Sequence, residues 1–324
     1  DKAEGKPWIT KIPFPVHVIE KVETFDHIGR SRFTSEYSYH HGYFDGHERE
    51  FRGFGRVDQW DTEYYRESRK ALNGRNEAEE YYVPPVLTKT WYHTGIYIGR
   101  NKVSNFYAGT AGDPNENEGE YFREPGLTDK QAEALLLQDT ILPKDLTFEE
   151  EREACRALKG SMLRQEVYAQ DGTDKAKIPY TVTEHNSSIR VVQRLGENRH
   201  AVFFAHAREA LTYHYERNPN DPRTSHAMTL EVDDFGNVLK SLAIAYWRRP
   251  GQTTLHGTDK EKQEQTLITY TENNVTHAID DSIRNPDGTV KYLDDYRTPL
   301  AAERRTHQVT GYDLINGDMH LRFD

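Results

Sequence analysis

The stretch from residue 37 to residue 62, YSYHHGYFDGHEREFRGFGRVDQWDT, constrains the fold of this chain more than any other. Tyr37 and Tyr39 alternate with polar residues, a period of two that belongs to a strand. Gly42 to Gly46 (GYFDG) sets two glycines around the Asp45-Gly46 step, and the chain is expected to reverse there. A charged strand then returns through Phe51, Phe54, Val57 and Trp60. Phe51 and Phe54 have opposite parity, so they share a face only if an extra residue intervenes. Gly53 and Gly55 are suited to such a bulge, because glycine accepts the bent backbone and leaves room for a neighbouring strand. Gly42, Asp45, Gly46, Gly53, Phe54 and Gly55 are thus expected to shape a sheet, with no chemistry required of them.

Strand patterns dominate elsewhere. A Pro-punctuated entry leads to a strand-like run through Val16, Val18 and Val22, and Thr88 to Ile98 is rich in Thr, Tyr, Trp and Ile. Residues 61–84 read as helical or irregular around Tyr64 to Leu72, and residues 109–126 as an exposed acidic loop. Two capping boxes predict helices: Thr128 with Gln131 before Ala132–Leu137, and Thr147 with Glu150. The second helix carries Glu149–Glu151 at its start, Arg156 and Lys159 near its end, and Gly160 at the C′ position. Its apolar stripe is Phe148, Cys155, Leu158 and Met162. After residue 162, Ile189–Leu195 and His200–His206 flank a Gly196-Glu197-Asn198 turn. Asp233–Asn237, with Asp234 and Gly236, turns Met228–Val232 into Val238–Trp247. The Asp-containing turns of DDFGNVLK and NPDGTVKY are similar, but their spacing is too irregular to establish a solenoid unaided.

With 324 residues, 35% hydrophobic and mean hydropathy −0.90, but 20 Tyr and 13 Phe, the chain suits extended sheets with much solvated surface. A net charge of −11 argues against a nucleic-acid or anionic-membrane partner. No apolar run reaches the roughly 20 residues of a membrane helix, so no direct membrane insertion is expected. The first residue is Asp1, which fits a fragment or processed chain and leaves export undecided. Cys155 stands alone, which removes any intrachain disulfide.

Several strings bear on ancestry: PWITKIPFPVHVIEKV at 7–22, the 37–62 segment, PVLTKTWYHTG at 85–95 and EEREACRALKGSMLRQEVYAQDG at 150–172. PYTVTEHN at 179–186, HAVFFAHAREALTYHYERNPNDPR and LEVDDFGNVLKS extend the set to Ser241. Together they resemble the middle region of the B component of bacterial three-part insecticidal toxin complexes (Tc toxins), over nearly the whole chain and weakest after about residue 250. The resemblance implies a mainly β fold with a small α-helical insertion, forming a curved, RHS-like multi-stranded shell segment. It divides the chain into 1–126 (middle-region hairpins with a loop), 127–161 (two-helix insertion) and 162–324 (RHS-like strands). It further implies a secreted assembly in which the B and C components together enclose a cytotoxic segment of the C component. The A component would be engaged through parts of the B component that have no counterpart here. The family's self-cleaving aspartyl site belongs to the C component, and no stretch here carries it.

Candidate chemistry is sparse. His40 and His41, adjacent on a strand, should point to opposite faces and cannot jointly chelate one ion there; His47 could join either. Glu184, His185, His206, His214 and His226 lack any metal or catalytic spacing. Asp233 and Asp234 could be a carboxylate pair, but Asp suits a turn equally well. Cys155, on a capped helix, should be buried and inert. The acidic loop lacks the EF-hand order, and no cofactor motif is present. The expectation is a structural shell segment that is not an enzyme. The alternatives are a carbohydrate- or receptor-binding β module using Trp60, Trp91 and Trp247, and a hydrolase built on Glu184, His185 or the Asp233–Asp234 pair.

Overall fold

The computed structural model describes residues 12–28, 31–62, 84–109, 119–249, 251–252, 255–280, 283–291, 295–312 and 320–323. The proposed helical stretch at Tyr64–Leu72 and residues 110–118 of the acidic loop lie outside these. Among the described residues eleven strands form one open antiparallel sheet in which spatial order equals chain order. They are β1 (Lys21–Asp26), β2 (Ser31–Asp45), β3 (Glu50–Thr62), β4 (Val86–Tyr92), β5 (Met162–Ala169) and β6 (Thr181–Gln193), followed by β7 (Val202–His214), β8 (Arg223–Val232), β9 (Val238–Ala245), β10 (Leu267–Val275) and β11 (Ala301–Val309). Each strand pairs antiparallel with the next in the chain, as successive strands of a meander do. Among the described residues three short α-helices accompany the sheet: α1 (Asp129–Ala134), α2 (Phe148–Arg156) and α3 (Gly257–Gln263). The fold is therefore mainly β with a small helical insertion.

The β2–β3 hairpin reverses later than its glycines suggested. Gly42 lies inside β2, and the turn follows Asp45, whose Oδ1 accepts the N–H groups of His47 (2.9 Å) and Glu48 (3.0 Å). Gly42 faces Phe54 and Phe44 faces Phe51, so β3 holds one more residue than β2 between those pairs. The excess falls where Gly53 takes φ 95°. This bulge lets Phe51 and Phe54 meet at 5.4 Å between ring centres, as their parity required. A Cβ on Gly42 would collide with Ile12, and one on Gly55 with the Tyr107 hydroxyl, so both glycines serve close approach.

Strand boundaries also moved. The Val16–Val22 run enters regular pairing only at Lys21, and β4 stops at Tyr92. Just beyond, His93 N–H donates to the Ser161 carbonyl and Gly95 takes φ 75°, which turns the chain out of the sheet. Residues 93–161 then form one insertion between β4 and β5. Both capping boxes are present: the Thr128 and Thr147 side chains accept the N–H groups of Gln131 and Glu150, and those side chains accept the cap N–H groups in return. The stripe of α2 differs from the expected one. Cys155 and Leu158 are buried, but Phe148 is 62% exposed and Met162 belongs to β5. Glu150, Glu151 and Ala154 occupy the inward face of α2 instead.

The insertion covers one face of the sheet. Val103, Leu142, Ala154, Cys155 and Leu158 pack on Ile189, Phe203 and Ala205 of β6 and β7, while Ala108 and Tyr121 pack on Trp91 and Leu163. Further along, Leu321 returns from beyond β11 onto Met228, Ile244 and Ile268.

Candidate functional site

Strand alternation gives the sheet two unlike faces. On the covered face, one row across the strands reads Arg56, Trp91, Arg164, Glu184, Leu211, His226, Ile244 and Ile268, each opposite the next. On the open face, the adjoining row reads Tyr39, Val57, Thr90, Gln165, Thr183, Thr212, Ser225, Ala245 and Leu267. No charged residue occurs in that second row, although charged residues make up 29% of the chain. A further open-face row, His185, Ala210, Ala227, Ala243, Thr269 and Gln308, is built alike. Gln165 donates to Thr90 Oγ1 (3.2 Å), and the Thr183 and Thr212 hydroxyls pair at 3.2 Å, so part of this polarity is satisfied within the wall. Ser225, Ala227, Ala243 and Ala245 are exposed.

The covered face is a polar seam in which sheet side chains grip the backbone of the insertion. Glu120, from the insertion, accepts from Arg56 Nη1 (2.7 Å) and Trp91 Nε1 (3.0 Å) and pairs with His41 Nε2 at 2.6 Å. Burial pushes its carboxyl up, but the bonds from His41 and Trp91 and the nearby positive charge prevail and hold it at about 2. Arg164 joins Glu166 (2.6 Å) to Glu184, and all three are buried. Glu166 accepts Phe122 N–H (2.8 Å) and the Tyr168 hydroxyl (2.5 Å), and Glu184 accepts Leu137 N–H (2.9 Å). Asn186 donates to the carbonyl of Gln138 and to Glu209. The buried His226 lies 3.2 Å from Glu209 and 3.0 Å from the Tyr246 hydroxyl, which in turn accepts Leu321 N–H.

Carboxylates of α2 perform the same task from the insertion side. Glu150 accepts Leu195 N–H (3.0 Å) and Glu153 accepts Ala201 N–H (2.7 Å), tying the helix to the β6–β7 hairpin. His93 is buried, donates from Nε2 to the Val103 carbonyl and accepts Gly95 N–H at Nδ1; burial lowers it to about 4, so the ring is neutral. These bonds satisfy backbone groups of an irregular segment that no strand ladder serves.

The sequence candidates fall into place around this seam. His41 has φ 56°, which breaks the strand alternation, so its ring lies 6.4 Å from that of His40 rather than on the opposite face. His40 contacts Ser38 and Asp58, and His41 contacts Glu120; among the described residues no cluster of three or more metal-ligating side chains occurs. Glu184 is locked to Arg164, whereas His185 belongs to the open-face row. Asp233 accepts Phe235 N–H and Asn237 N–H in its own turn, Asp234 pairs with Arg190, and Gly236 has φ 90°. The hydrolase constellation therefore does not assemble. Cys155 is buried and pushed up to about 12, chiefly by burial. Trp91 is fully buried and cannot stack on a sugar, while Trp60 is half-buried and Trp247 is 38% exposed. Sequence reasoning missed Glu120, Asp139, Arg164, Glu166 and Glu209. The available signal was charge at strand positions that periodicity assigns to the covered face, as in LRQEVY.

Residues 1–95 match the family described as insecticide toxin TcdB middle/N-terminal region, and residues 153–285 match the TcdB middle/C-terminal region. The crystal structure of TcdB2-TccC3 is similar over 98% of this chain at 28% identity and TM-score 0.67, and that of TcdB2-TccC3-Cdc42 over 92% at 28% and 0.66. A Photorhabdus luminescens Tc holotoxin pore matches over 91% at 29% identity and TM-score 0.62. The chain spans only 13–14% of the length of these structures' chains. No curated protein matches it. By family match and by fold, the chain belongs to the TcdB family of insecticidal toxin components and is a stretch of its middle region.

Proposed function

We propose that this chain is a wall segment of the hollow shell that a TcdB-type B component builds with a C component around the C component's cytotoxic segment, and that its role is structural, not enzymatic. The contrast between the two sheet faces supports this reading. A wall must be rigid on one side and inert toward an incompletely folded polypeptide on the other. The insertion and its polar seam supply the first property. The two uncharged rows of the open face, rich in Thr, Ser, Ala and Gln and partly hydrogen-bonded to themselves, offer a retained chain few ionic partners and little continuous apolar surface. In this reading the strands on either side of residues 93–161 contribute wall, and that insertion, whose part 127–161 holds the two capped helices, braces it from outside. Among the described residues β1 and β11 each pair on one side only, so either can be continued by a neighbouring strand. The partner is the C component, the A component is engaged elsewhere on the B component, and the assembly is a secreted toxin.

The test is site-specific photo-crosslinking in the full-length B component co-expressed with its C component. A crosslinker at Thr183 or Ala243 should capture the C component's enclosed segment, and one at the outward Phe148 should not. Capture from Phe148 alone would reverse the assignment of faces. A C-component segment digested as readily with the B component as without it would end the shell reading.

A further inference from the structure

At one end of the sheet the strands stop at unequal heights. β4 stops at Tyr92 and β5 starts at Met162, whereas the flanking hairpins run on, β2–β3 to a turn at 46–49 and β6–β7 to one at 194–201. The helix α2 crosses the gap and is tied to both hairpins, since Arg152 lies 3.7 Å from Asp45 and Glu153 accepts Ala201 N–H. Glu149, Arg152, Glu153 and Arg156, three and four residues apart, share one side of α2. With His47, Glu48 and Arg52 on one flank and Leu195, Arg199 and His200 on the other, they bound a cleft of about 240 Å³. A second cleft, of about 210 Å³, adjoins it through Glu153, Arg156 and His200 and is walled by Ala157, Ala201, Val202 and Phe203.

The first cleft holds more donors than its acceptors use. Four guanidiniums, each with five N–H groups, meet three carboxylates, in a chain whose net charge is −11. Glu153 is spent, with His200 Nδ1 at Oε1 (2.7 Å) and Ala201 N–H at Oε2 (2.7 Å), and Glu149 accepts from Arg152 Nη1 (3.0 Å). Behind the lining, Asp45 pairs with Arg52 (2.8 Å), and Glu50 pairs with Lys159 (2.9 Å) and lies 3.3 Å from Arg156. Arg199 is exposed and has no side-chain partner among the described residues; of the lining carboxylates, only Glu48 likewise has none. The open positions are therefore mostly N–H donors, and a guanidinium fork matches the two oxygens of a carboxylate. The second cleft is different in kind: Val202 is 45% exposed there beside Phe203 and two alanines.

We propose that the two clefts together are a docking site for an extended peptide bearing an acidic and an apolar side chain on one side. Arg156 and Arg199 take the carboxylate, and Val202 and Phe203 receive the apolar group. In an extended chain such side chains are two positions apart. The apolar half is what selects a peptide over a small anion, which would meet the guanidiniums alone. The site lies along α2 and two hairpin tips, so it stands whether or not the open face of the sheet lines a cavity.

The test is fluorescence polarisation at low salt, with the full chain titrated into a labelled peptide that carries Glu and Leu two positions apart and serine elsewhere. Binding should saturate, and Arg199→Ala, at an exposed position without contacts to lose, should weaken it by about tenfold. Glu48→Gln removes the opposing charge and should strengthen it by roughly two- to fivefold. A peptide with Gln in place of Glu should lose binding, and one with Ser in place of Leu should bind more weakly. Absence of saturable binding, or equal affinity in wild type and Arg199→Ala, would overturn the site. Equal binding of the peptide without Leu, or its full displacement by an equal concentration of inorganic phosphate, would reduce it to a small-anion site and overturn the peptide assignment.

Discussion

Glu120→Gln tests the polar seam most directly, because one carboxylate there serves three donors on three strands. Glu120 meets His41 of β2, Arg56 of β3 and Trp91 of β4 within 3.0 Å. Its carboxyl sits at about 2, against an ordinary value of 4.5. That difference corresponds to roughly 3 kcal/mol in favour of the charged form. The side chain is 27% exposed, and screening there reduces the expected loss to about 2 kcal/mol. The amide still accepts from the Trp91 indole, so the loss falls on the charged contacts. The folded-state value is depressed, so the contribution is complete above pH 4.5 and disappears as pH falls toward 2. Urea unfolding of wild type and variant should differ by about 2 kcal/mol near pH 7, the gap narrowing by roughly 1 kcal/mol at about pH 3.5. A gap below about 0.5 kcal/mol at neutral pH, or one that is constant with pH, would refute the assignment of Glu120 as a charged staple.

Other outcomes follow from the same geometry. Leu211→Ala, at a fully buried position between Val182 and Tyr213, should lower stability by about 2–5 kcal/mol in urea titrations. Arg164→Met leaves Glu166 and Glu184 buried without their cation and should lower it by about 3–5 kcal/mol, with partial recovery when Glu184→Gln is added. Gly55→Ala forces the Tyr107 hydroxyl aside and should weaken the β2–β3 end by about 1–3 kcal/mol, which Tyr107→Phe relieves in part. The isolated chain, in which β1 and β11 each pair on one side among the described residues, should self-associate in light scattering as concentration rises, and a proline within β1 should reduce this.

The local devices were legible because they depend on neighbours in sequence. Both capping boxes, the bulge demanded by Phe51 and Phe54, and the Asp233–Asn237 turn each involve residues a few positions apart. Legibility failed where a distant partner decides the outcome. The stripe of α2 pointed to Phe148, yet the inward side is taken by Glu150 and Glu151, whose partners Leu195, Arg194, Tyr97 and Arg100 lie far along the chain. His41 lost its strand orientation to a left-handed backbone that no periodicity announces. The end of β4 at Tyr92 was set by the contact of His93 with Ser161 across the whole insertion.

From the sequence alone came a mainly β chain, its hairpins, its two capped helices and, through long strings of resemblance, its family. Period-two alternation, turn residues and capping side chains act over a few residues, so they are written into the order of the chain. Only the tertiary structure decided that the described strands form a single meander, that the insertion after β4 covers one of its faces, and that the buried charges Arg164, Glu166 and Glu184 lie on that face. Alternation says that two faces exist but not which will be buried. That choice depends on whether an inserted segment can bring backbone donors to Glu166 and Glu184, a match made between residues more than 40 positions apart.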